Sequence, residues 1–159
     1  EKAKRADAKA ARMAAKAERA SIKARKEAIK TIAQLIADAQ IVFNAFIRER
    51  DKGKGCFVCG RPFTNKPGQV QHAGHVRSRG AAGHLRFNED NCHGECEGCN
   101  GPHGAKPHQI EAGAIARIGA ERYAELCADN TPHKWQRDEL IAIKREYRAK
   151  LKDIQKGET

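Results

Sequence analysis

Aromatic residues are scarce in this 159-residue chain: they make up 5% of it, with one Trp and two Tyr. So thin a supply argues against one large globular core. Long apolar runs are missing too. None approaches the roughly 20 residues needed to cross a bilayer, so no membrane partner is expected. Gly and Pro are absent from residues 1 to about 50, which removes the strongest helix breakers from that stretch. Acidic residues are absent between Lys52 and Phe87, where seven basic side chains stand alone: Lys52, Lys54, Arg61, Lys66, Arg77, Arg79 and Arg86. The chain carries a formal net charge of +11 and a pI near 9.6. That balance favours a polyanion, nucleic acid before an anionic membrane. Residues 1–30 are charged throughout and carry no visible leader. The chain begins at Glu1, and the natural N-terminus is expected upstream.

What is present is a set of six cysteines, four of them in two Cys-x-x-Cys pairs, Cys56/Cys59 and Cys96/Cys99. Two such knuckles aim four thiolates at one point, the donor set of a tetrahedral zinc site. Four sulfurs fill the coordination shell, so this Zn²⁺ is expected to be structural. It would clamp the ends of a segment too short to bury much core. Paired redox motifs are the alternative, but no βαβ pattern accompanies them. Knuckle spacing in a long charged chain suits reduced, metal-bound thiols and a cytosolic compartment. Cys92 reads as a spare thiol and Cys127 as a small buried residue on a helix face.

Residues 1–52 read as one long basic helix. Its first 27 residues have little to bury. From Ile29 an apolar stripe follows through Ile32, Ile36, Val42, Phe43, Phe46 and Ile47. It suits packing on the C-terminal helices or on a second subunit, with the dimer seam weighted slightly higher. Residues 53–108 are rich in Gly, Pro, Asn and His. Here Val70–Val76 is expected to be a strand, Leu85–Phe87 a second, and a helix should start near Cys96. Residues 109–159 read as two helices, Gln109–Cys127 and Gln136 to about Lys156, separated by Asn130-Thr131-Pro132.

Between the knuckles lie His72 and His75. One imidazole of such a pair can ligate a metal while the other takes a proton from water, its pKa near 6.5 suiting a general base. Asn100 directly follows the last knuckle cysteine, where its amide oxygen suits a hard cation; a helix cap is its plainer role. Asn91 either holds the His75 loop by side-chain to backbone bonds or is a turn residue. His103 and His108 are alternative ligands, while His84, His93 and His133 read as ordinary polar residues. Arg61, Lys66, Arg77, Arg79 and Arg86 are candidate contacts to a phosphate backbone. Few aromatics interleave them, which favours backbone and shape recognition over base stacking.

On these residues the chain resembles the phage lambda NinG family, also called Rap. The matching stretches are Asn44–Asp51, Ala73-Gly74-His75, Leu85–Glu89, Cys96-x-x-Cys99-Asn100, Arg117-Ile118-Gly119 and Ala142-Ile143-Lys144. They cover roughly residues 40 to 155. The resemblance implies a structure-specific endonuclease of phage recombination, acting on Holliday junctions and D-loops in the host cytoplasm. The arrangement is also similar to the zinc-containing phage resolvase endonuclease VII. By that likeness His75 matches the general base, while His72 and Asn100 match the ligands of a catalytic Mg²⁺ or Mn²⁺; Asn91 is grouped with His75 as a catalytic candidate on its place between strand and helix. Two departures stand out. Position 72 is usually aspartate in this pattern, and a neutral imidazole there shifts preference toward Mn²⁺ or a similar ion. The family's N-terminal cysteine cluster is also absent.

The fold expected is therefore α+β and mostly helical. A four-cysteine zinc ββα-metal (HNH) core would be flanked by a long N-terminal helix and two C-terminal helices. The expected activity is metal-dependent hydrolysis of branched DNA by a homodimer. The alternative is a zinc-stapled protein that binds branched DNA without cutting it.

Overall fold

The computed structural model describes residues 1–157; the last two residues of the C-terminal region lie outside that range. The chain is mostly helical α+β. Helix α1 spans Lys2–Ala28, α2 Ile32–Arg50, α3 Glu97–Asn100, α4 Pro107–Ile118, α5 Ala120–Ala128 and α6 Arg137–Lys156. Strands β1, Gln71–His75, and β2, Cys92–Cys96, make the sheet.

The single helix expected over residues 1–52 is two. A capping box starts the second: the Thr31 hydroxyl accepts from the Gln34 N–H at 3.2 Å, and the Gln34 side chain accepts from the Thr31 N–H at 2.8 Å. That reciprocal pair satisfies two orphan donors and stabilises a break that needs neither Gly nor Pro. The carbonyls left at the end of α1 are taken by α6, where Arg137 donates to Glu27 O at 3.3 Å and to Lys30 O. An arginine on C-terminal carbonyls is favourable for both hydrogen bonding and the helix dipole.

The apolar stripe of α2 is covered from within the chain. Leu35, Ala39, Phe43, Phe46 and Ile47 form one core with Phe87 and Cys92 from the middle segment and Leu140 and Tyr147 from α6. Phe43 meets Tyr147 edge-on at 4.7 Å and Phe87 at 5.7 Å. Such pairs add to the burial energy of the rings. α6 thus covers Phe43, Phe46 and Ile47 of the stripe, while Ile32, 39% exposed, is left open. Ile29, 80% exposed, lies outside the core.

The sheet is one antiparallel pair with His72 opposite Glu95 and His75 opposite Cys92. Its second strand is not Leu85–Phe87. Leu85 ends a short 3-10 turn and packs with Ala82 and Leu126, while Phe87 enters the main core. Asn88 then closes a turn by accepting from the N–H groups of Asp90 and Asn91 at 2.8 and 3.2 Å. β2 is Cys-His-Gly-Glu-Cys, buried at every position, so it lacks both the alternation and the β-branched residues that advertise a strand.

The helix expected over Gln109–Cys127 is also two. Gly119 joins α4 to α5 at φ +87°, a conformation that a side chain would strain. Cys127, expected to be buried, is exposed on α5.

Candidate functional site

The knuckles converge. The sulfurs of Cys56, Cys59, Cys96 and Cys99 lie within 4.8 Å of one another, with Cys59 and Cys96 3.8 Å apart. Zinc–sulfur bonds of about 2.3 Å at tetrahedral angles put sulfurs about 3.8 Å apart, so the four can hold a structural zinc. Backbone bonds shape the first knuckle: Cys56 N–H to Arg61 O at 2.8 Å, Gly60 N–H to Cys56 O at 2.9 Å, and Phe57 N–H to Gly94 O at 2.9 Å. The last bond ties the knuckle to β2, whose end carries Cys96. Burial pushes the Cys59 thiol up, but the Arg61 N–H and the neighbouring thiols lower it further, to about 7.

Asp51, at the end of α2, holds the same residue of β2, Gly94, from its N–H. Its fully buried carboxylate accepts from Arg50 Nε and Nη2 at 2.9 and 2.8 Å, from the Gly94 N–H at 2.8 Å and from Lys54 Nζ at 3.2 Å. Burial alone would raise its pKa. Arg50 and the other donors prevail and bring it to about 2. Arg50 also donates to Glu89 O at 3.2 Å and Cys92 O at 2.9 Å. This pin was not read from the sequence, where Arg50-Asp51 is only a charged pair at a helix end.

Above these supports lies a cleft of about 340 Å³. Asn44 of α2, His72, Ala73 and His75 of β1, Ser78 and Arg79 of the next loop, and Asn100 of α3 line it. The structure thus brings Asn100 of α3 to His72 and His75, which precede it by a long stretch of sequence. Among the described residues, no carboxylate lines the cleft. His75 Nε2 lies 3.1 Å from the Arg86 carbonyl. A carbonyl accepts only, so Nε2 carries the proton and Nδ1 the lone pair. Nδ1 lies 3.9 Å from the buried Cys92 sulfur. Burial lowers the His75 pKa below its ordinary 6.5, with the charges of Arg79 and Arg86 adding to it against the carbonyl's opposing pull. The imidazole is therefore neutral at pH 7.

Asn91, placed among the catalytic candidates, is buried and outside the cleft lining. Its Oδ1 accepts from the Arg77 N–H at 2.8 Å, and its Nδ2 donates to the Arg77 and Leu85 carbonyls at 3.1 Å. It fixes the loop that follows His75, and its role is positioning.

Arg77 does not present its guanidinium to a ligand. It donates to Leu126 O at 3.0 Å, to Asp129 O, and to Asn130 Oδ1 at 2.7 Å, which fastens the loop to the end of α5. Arg86 is half-buried. Its Nη1 donates to Gln40 Oε1 at 3.3 Å, and its Nε is buried without a hydrogen-bond partner among the described residues. Arg79 is exposed at the cleft, while Arg61 and Lys66 are exposed on the knuckle loop away from its lining. His103 and His108 are exposed and also outside the lining. His84 bonds to Asp129 O at 3.0 Å and His133 lies 3.4 Å from Glu139. His93, read as ordinary, is buried against Phe57 and 3.3 Å from Arg50, and burial drops its pKa to about 4.

Glu95 was missed altogether. It sits opposite His72, and burial raises its pKa to about 7. Its carboxylate fills the space that a side chain at Gly74 would need, which explains glycine between Ala73 and His75.

A family model described as "Bacteriophage Lambda NinG protein" matches residues 1–158. Curated relatives named "Protein ninG" include those of Escherichia phage lambda, 43% identical over 121 residues, and Salmonella phage P22, 41% over 119. Each alignment covers 75% of this chain and 56% or 57% of the relative, so the chain spans a little over half the length of these proteins. No solved structure matches.

Proposed function

The chain belongs to the bacteriophage lambda NinG family, and from that premise we propose that it is a structure-specific DNA endonuclease of the HNH (ββα-metal) type. Its substrates in this reading are branched recombination intermediates such as Holliday junctions and D-loops. The observation that carries the proposal is the cleft itself: His75, its tautomer fixed by a carbonyl, shares it with His72, Asn100 and Arg79 beside a four-cysteine site. The antiparallel pair β1–β2 followed at once by α3 supports the ββα assignment.

Each side chain then has a task. His75 Nδ1, once turned from its 3.9 Å contact with the Cys92 sulfur, takes a proton from water as the water oxygen attacks phosphorus. The bond to the 3′ oxygen breaks, that oxygen is protonated by solvent, and the products carry 5′ phosphate and 3′ hydroxyl. Arg79 offsets charge on the phosphate. His72 and Asn100 are the residues that would hold a divalent ion, which supplies charge neutralisation at the phosphate and leaving oxygen. An imidazole and an amide oxygen without a carboxylate would hold a divalent ion weakly on their own and would suit Mn²⁺ better than Mg²⁺. Paired nicks on opposing strands need two sites, so action as a homodimer belongs to the proposal.

The lack of a carboxylate in the cleft favours one rival, a zinc-stapled module that binds branched DNA without cutting it. The test is incubation of a labelled synthetic four-way junction, and a linear duplex of the same sequence, with Mg²⁺ and with Mn²⁺. Paired nicks near the branch leaving 5′ phosphates support the enzyme. Tight binding without cleavage in either ion would replace it with the module.

A further inference from the structure

Helix α1 packs on the rest of the chain only at its C-terminal end, where Glu27 meets Lys144 at 3.2 Å and Arg137 caps the helix. The remainder projects with nearly every side chain exposed. Read as charge along the sequence, the helix looks scattered. Wound at about 100° per residue, it is not. Lys9, Arg12, Lys16, Arg19, Lys23 and Lys26 recur at alternating steps of three and four and fall on one face. Between Lys9 and Lys26 the one acid is Glu18, which lies on the far side with the alanines. All six are exposed, and no ion pair within the chain neutralises them among the described residues. At about 1.5 Å per residue the row runs about 26 Å, most of one turn of duplex DNA. It continues onto the body, where Arg19, Lys23 and Lys26 share a shallow groove with the exposed Arg148 of α6.

We propose that α1 is a backbone-tracking arm. It would lie along the phosphates of a duplex segment outside the cut site and bind it without sequence preference. This rests on reading the chain as acting on DNA, but it assigns binding to a surface separate from the cleft. Charge complementarity argues for the duplex: six unpaired cations in line match a polyanion with one charge per about 1.7 Å. A membrane surface is the poorer fit, because an interfacial helix needs an apolar face and this one offers alanine with Met13 and Ile22.

The test uses the full chain and a 30-base-pair linear duplex, with affinity measured across a series of salt concentrations. R12Q/R19Q removes two charges from the row, and K4Q/R25Q removes two from elsewhere on the same helix. All four substitutions are helix-compatible, and circular dichroism checks that helix content is kept. Each phosphate that is no longer neutralised flattens the logarithmic salt dependence by about 0.9. The row variant should therefore flatten by about 1.8 and weaken binding several-fold, while the off-row variant stays near wild type. Equal effects of the two pairs would reduce α1 to bulk charge and overturn the arm. If wild type bound no duplex at any salt but still bound a four-way junction, the arm would be overturned and the reading of the cleft would stand; if it bound neither DNA, the DNA-acting reading itself would fall.

Discussion

At the scale of single residues, the site depends on a buried carboxylate that touches no candidate ligand. Asp51 ties α2 to β2 through Arg50 and the Gly94 N–H. Its pKa is lowered from 3.8 to about 2, so it favours the fold by about 2 kcal/mol above pH 4, an amount lost as pH falls toward 2. D51N should flatten that acid limb in denaturation measured from pH 6 to 2, and D51A should cost about 3–5 kcal/mol by stranding Arg50. An unchanged acid limb in D51N would remove Asp51 from the account. The zinc site makes a second demand. Wild type should bind about one zinc per chain by elemental analysis, and C96S should lose it with a lower Tm. The cysteines and the histidine pair were legible in sequence because metal and proton chemistry tolerate few residue types at fixed spacings. Asp51, Glu95 and His93 were not, because an ion pair or a buried imidazole is defined by what folds over it. Arg77 misled for the same reason: its guanidinium suits a phosphate, but the carbonyls ending α5 reach it first.

At the scale of elements, the long helices declared themselves through periodicity and the breaks between them did not. Thr31-x-x-Gln34 is a readable capping signal, yet the absence of Gly and Pro made an unbroken helix look simpler. T31A should destabilise the start of α2 by about 1 kcal/mol, seen as a lower midpoint in urea. The opposite failure occurs in β2, whose five buried residues include no β-branched side chain. Its place is set by tertiary contacts: Asp51 accepts from the Gly94 N–H, and the first knuckle donates to the Gly94 carbonyl. Phe43 joins α2, α6 and Phe87, and F43A should cost about 3–5 kcal/mol in the same assay. A loss under about 1 kcal/mol would mean that α2 and α6 do not share a core in solution.

At the scale of the whole molecule, one core unites segments far apart in sequence, and the cleft sits where they meet. α2 supplies Asn44, β1 the two histidines, and α3 Asn100 directly after Cys99 of the four-cysteine cluster. No described helix is long and apolar enough to cross a membrane. Arg79 stands beside the proposed chemistry, while the row on α1, most of a duplex turn in length, lies apart from it. The most direct test of the central claim is cleavage of a four-way junction by H75A under single-turnover conditions with Mn²⁺, at protein concentrations that saturate binding. The account predicts wild-type affinity with cutting reduced at least about 100-fold, the lower range of a general base's contribution. Cutting at the wild-type rate by H75A would contradict it.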